Sequence, residues 1–162
     1  MSTLTVWRFP SSGGADDAVS RLEQLARQQL ITVHDAATVS WAEGAKKPKT
    51  RQLRNLAGAG ALGGAFWGML FGLIFLMPLL GAAVGAAAGA LAGRFSDYGI
   101  DDEFVRKTRE QITPGTSALF VLSTDAVQDK VAAAFDGVPA ELLFTNLSTE
   151  QEQQLREVFA DS

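Results

Sequence analysis

The run from Leu56 to Gly93, LAGAGALGGAFWGMLFGLIFLMPLLGAAVGAAAGALAG, holds no charged residue, and any fold of this chain has to hide it from water. Glycines recur every fourth position in two series, Gly60, Gly64, Gly68, Gly72 and then Gly81, Gly85, Gly89, Gly93, with Pro78 between them. Four-residue spacing places each series on one stripe of an α-helix. A glycine costs a helix interior roughly 1 kcal/mol against alanine, so two such series imply close backbone approach. Small-xxx-small stripes allow that approach between helices. The run therefore reads as a helical hairpin with two glycine zippers, turning at Pro78.

The rest of the chain is polar and charged. With 162 residues it suffices for one compact domain carrying an inserted element. A net charge of −4 argues against a general nucleic-acid binder. Cysteine is absent and His34 is the sole histidine, so thiolate and multi-histidine metal sites are not expected, and no cofactor is implied. The opening MSTLTVWRFPSSGG lacks a basic segment followed by an apolar one and does not read as a signal peptide.

In chain order, residues 3–9 alternate as a strand, and Pro10 to Gly14 form a turn. Asp16 then caps a helix with Ala18, Val19, Leu22, Leu25, Ala26 and Leu30 at helical spacing. Ile31, Val33, Ala37, Val39 and Trp41 alternate on one face of a second strand, with His34 on the other. Residues 44–55 form a basic linker containing Lys46, Lys47, Lys49, Arg51 and Arg54.

After the hairpin (56–93), Asp101, Asp102 and Glu103 suit the first turn of a helix. Ser117 to Leu122 is apolar on both faces, as in a central strand. A further helix carries Val127, Val131, Ala134 and Phe135, and Glu141 to Thr145 is a fourth strand. Ser148 and Gln151 form a capping box for a last helix. With 1–43 and 94–162 as its two halves, the domain reads as α+β and ferredoxin-like (split βαβ), with four antiparallel strands and helices on one face. The long apolar α-helical hairpin is inserted between the second and third strands.

Two environments suit the hairpin. Its first leg has about 22 residues, enough for the ~30 Å hydrocarbon core of a bilayer. Phe66, Trp67, Leu70, Phe71, Leu73, Ile74 and Phe75 are its apolar anchors. The second leg, about 15 residues long, would span only ~22 Å. Basic residues on both flanks hold both termini on the cytoplasmic side of the membrane, and Lys46, Lys47, Lys49, Arg51 and Arg54 would then meet anionic lipid headgroups. The alternative is a soluble cytoplasmic ring or cage in which the hairpins form the buried core. A second small stripe in each leg, Ala57, Ala61, Ala65 and Ala82, Ala86, Ala90, points to self-association in either environment.

The sequence NLAGAGALGGAFWGMLFGLIFLMPLLGAAVGAAAGALAGRFSDYGIDDEF, followed by PGTSALFVL, resembles the bacterial family catalogued as domain of unknown function 1269. Members are usually described as predicted membrane proteins, and the resemblance implies no activity, cofactor or catalytic residue. The expectation is a non-enzymatic, self-associating protein whose partners are copies of itself and anionic lipid, with no nucleic acid and no metal.

Overall fold

The structure, a computed structural model, describes residues 2–28, 33–46, 48–53, 67, 70–71, 74–75, 99–124, 130–133, 135, 137, 140–151 and 153. In chain order these form β1 (Ser2–Phe9), α1 (Gly14–Arg27), β2 (Val33–Ser40), β3 (Lys49–Gln52), α2 (Asp102–Gln111), β4 (Ser117–Thr124) and β5 (Glu141–Leu147). The strands make one sheet in the order β3-β2-β4-β1-β5, and every pairing is antiparallel.

Alternation along β1 and β4 divides the core in two. Leu4, Val6, Ala118, Phe120 and Leu122 point to one face, and Trp7, Phe9, Leu119 and Val121 to the other. The second face is covered by Ala15, Ala18, Val19, Leu22 and Ala26 of α1, together with Val131 and Phe135. The first is covered by Phe104 and Val105 of α2, by Ile100 and Ile112, and by part of the apolar run.

Trp67, Leu70, Phe71, Ile74 and Phe75 are helical in the structure. Their i, i+3, i+4, i+7, i+8 spacing makes a single stripe. Trp67 and Phe71 are 2 % and 3 % exposed, Leu70 and Ile74 0 %. Phe71 meets Phe120 edge-on at 5.0 Å and stacks on Trp67 at 5.8 Å, and Trp41 closes on Phe75 at 5.9 Å.

This corrects the expected fold. The sheet has five strands rather than four, its helices lie on both faces, and no long apolar helical hairpin is found among the described residues. Two physical reasons account for the difference. Residues 49–52, read as linker, pair with β2 from Ala37 to Ser40 and form an edge strand. Strands apolar on both sides also need two covering layers, and the apolar run supplies part of the second.

Moving those side chains into lipid would bare Leu4, Val6, Val39, Phe120 and Leu122 to water, at ~1.5–3 kcal/mol each. Lipid offers those side chains, already buried against the sheet, no further gain to offset that loss. No helix among the described residues is long and apolar enough to cross a membrane. The glycines Gly60, Gly64, Gly68, Gly72, Gly81, Gly85, Gly89 and Gly93, together with Phe66, Leu73 and Pro78, lie outside the described residues.

Two local expectations also change. The α1 helix begins at Gly14 with Gly13 as N-cap, and Asp16 sits inside its first turn. Its start is fixed from β4: the Ser117 hydroxyl accepts from the Ala15 N–H at 2.9 Å and donates to the Ser11 carbonyl at 2.7 Å. In β2 a bulge between Val33 and Asp35 shifts the register. Val33 and Ala36 therefore face α1, while Ala37 and Val39 face the apolar run. One extra residue reverses the facing of everything beyond it.

Truncating the covering stripe tests this arrangement. Phe71→Ala should lower the unfolding free energy by ~3–5 kcal/mol and Ile74→Ala by ~2–5 kcal/mol in urea titrations. Losses within about 0.5 kcal/mol, as at exposed sites, would show that the run does not pack on the sheet.

Candidate functional site

The α2 helix is set beside β5 by Phe104, Val105 and Ile112, which fix its inner face. Asp101 caps it, Oδ1 accepting from the Phe104 N–H at 2.8 Å. At its other end, Arg109 Nε donates to the carbonyl of Ile74 at 2.6 Å, tying α2 to the apolar run. Thr145 on β5 donates through Oγ1 to the Gly99 carbonyl at 2.7 Å, which anchors the chain just before the helix.

Between α2 and β5 lies an open groove of about 350 Å³, lined by Asp101, Glu103, Phe104, Lys107, Leu142, Leu143 and Thr145. Its rim is charged and its floor apolar. Glu103 and Lys107, one helical turn apart, pair at 3.2 Å, with side chains 63 % and 54 % exposed. Such an exposed pair stabilises the helix by only ~0.3–0.5 kcal/mol and can readily exchange partners. The Asp101 carboxylate is already engaged as a cap. Among the described residues no group of three His, Asp or Glu side chains could hold a metal ion. Asp101, Glu103 and Lys107 line the groove from the helix side, and Leu142, Leu143 and Thr145 line it from the strand side.

The residues singled out in the sequence fall elsewhere. Trp67, Leu70, Phe71 and Ile74 are brought together, buried under the sheet, with Phe75 half-buried beside them. Of the basic set, Arg51 turns away from them. Lys46 is exposed in the loop after β2, while Lys49 and Arg51 are exposed on β3. Arg51 Nη2 lies 3.4 Å from Asp16 Oδ1 on α1, which covers the opposite face of the sheet from the apolar run. Lys47 and Arg54 are outside the described residues. His34 is half-buried at the β2 bulge.

Sequence reasoning missed the groove, though a signal for it was available. The strand β3, KTRQ, has Pro48 before it and two cations within it, whereas β5, ELLFTNL, has neither proline nor lysine. Those are the residues that usually protect a sheet edge.

The family model described as "Protein of unknown function (DUF1269)" matches residues 61–160, more than half of the chain, and the chain belongs to that family. No curated protein and no solved structure matches it.

The cap that shapes the groove can be removed singly. Asp101→Ala should cost about 1 kcal/mol of stability, read from the urea midpoint, and Asp101→Asn should restore most of it.

Proposed function

We propose that this member of a family of unknown function is a non-enzymatic protein that assembles with copies of itself, the apolar run 56–93 supplying contacts between chains. The observation that carries this reading is the stripe Trp67, Leu70, Phe71, Ile74 and Phe75. The sheet accounts for those five side chains, whereas the whole run contains no charged residue to present to water. An apolar surface beyond what one chain can cover marks an association site. The glycine and alanine spacings fit helix contacts between chains as well as within one.

Burial of the stripe against the chain's own sheet favours a soluble homo-oligomer over bilayer insertion. The separation of Arg51 from that stripe favours it too, because a headgroup-binding set should flank the inserted segment.

Fractionation of a lysate without detergent, followed by light scattering on the size-exclusion peak, tests the reading. The expected result is one discrete oligomer in the supernatant. Gly68→Leu should reduce its mass by forcing helices apart, and Leu73→Lys should break it without changing membrane association. Sedimentation with membranes through a carbonate wash would establish the bilayer reading instead, and a monomer would defeat both.

A further inference from the structure

We infer that the β5 edge and the α2 groove beside it form a two-fold interface between two copies of this chain, joining their sheets through antiparallel β5–β5 pairing. This rests on the reading that the chain self-associates, and it adds a second contact surface distinct from the apolar run.

The two ends of the sheet are built differently. At one end β3 is four residues long, follows Pro48 and exposes Lys49 and Arg51. At the other, β5 is seven residues long, and among the described residues nothing pairs with its outer side. Its single charge, Glu141, is turned toward its own neighbour, 3.5 Å from Arg8 on β1. A long, weakly charged edge is a template for another strand, and two identical edges can satisfy each other through a two-fold axis.

The charge pattern of α2 selects a second copy as the occupant. The helix N-cap Asp101 and first-turn Glu103 are followed a turn later by Arg106 and Lys107, with Glu110 beyond them. Glu103 and Lys107 both line the groove, opposite Leu142, Leu143 and Thr145 in the middle of β5. A two-fold axis through that middle sets the two α2 helices side by side in opposite directions. Glu103 of each copy then faces Lys107 of the other, and the pattern is complementary to itself. The half-buried Leu143, on the α2 face of the sheet, is covered in the same contact.

The test is a pair of charge reversals, Glu103→Lys and Lys107→Glu, with mass measured by sedimentation equilibrium and folding checked by circular dichroism and the urea midpoint. Each variant alone places like charges across the axis twice, and its association at this surface should weaken by at least about tenfold. The oligomer should fall to half the wild-type subunit number. An equimolar mixture of the two variants sets lysines against glutamates in both positions and should recover the wild-type mass. Variants that keep the wild-type mass, or a mixture that fails to recover it, would overturn this interface while leaving association through the apolar run intact. A wild-type chain monomeric at all concentrations would overturn both.

Discussion

Burial of β1 and β4 on both faces is the constraint on which the rest of the structure depends. Trp7, Phe9, Leu119 and Val121 look one way, and Leu4, Val6, Phe120 and Leu122 the other. A sheet with two apolar faces must be covered twice, and α1 alone covers only one. The second cover comes from α2 and from the stripe Trp67 to Phe75, so a segment that looks like a membrane leg becomes a structural layer of the domain. The Arg109–Ile74 bond joins the two parts of that layer.

Much of this was legible in the residues. The strands at 3–9, 117–122 and 141–145 lie within β1, β4 and β5, because alternation and β-branched content are local signals. The capping box is present, Ser148 Oγ accepting from the Gln151 N–H at 3.1 Å and Gln151 Oε1 from the Ser148 N–H at 2.8 Å. The acidic residues 101–103 marked the beginning of α2, with Asp101 standing as its N-cap and not within its first turn. Three features were not legible, and all depend on partners distant in sequence. The β2 bulge is defined by its register against β4, the α1 start by Ser117, and β3 by the ladder it completes on β2. The apolar run was misread for a related reason. Its composition shows that it must be buried, but not whether lipid, a partner or its own sheet buries it.

The candidate groove belongs to the same class. Neither α2 nor β5 carries a chemical motif, and the groove arises only where they meet. The contrast between KTRQ and ELLFTNL acquires meaning only once strand order makes both of them edges.

Strand order has one more consequence, which concerns synthesis rather than the finished molecule. The first strand made, β1, lies between the last two, β4 and β5. Thr5 bonds to Val121, 116 positions away. During translation β1 must wait, apolar on both sides, until nearly the whole domain has been made. Long-range pairing of this kind slows folding and leaves an aggregation-prone nascent strand. The ribosome-bound chain is thus most exposed to misassociation while β1, an interior strand of the finished sheet, has neither neighbour.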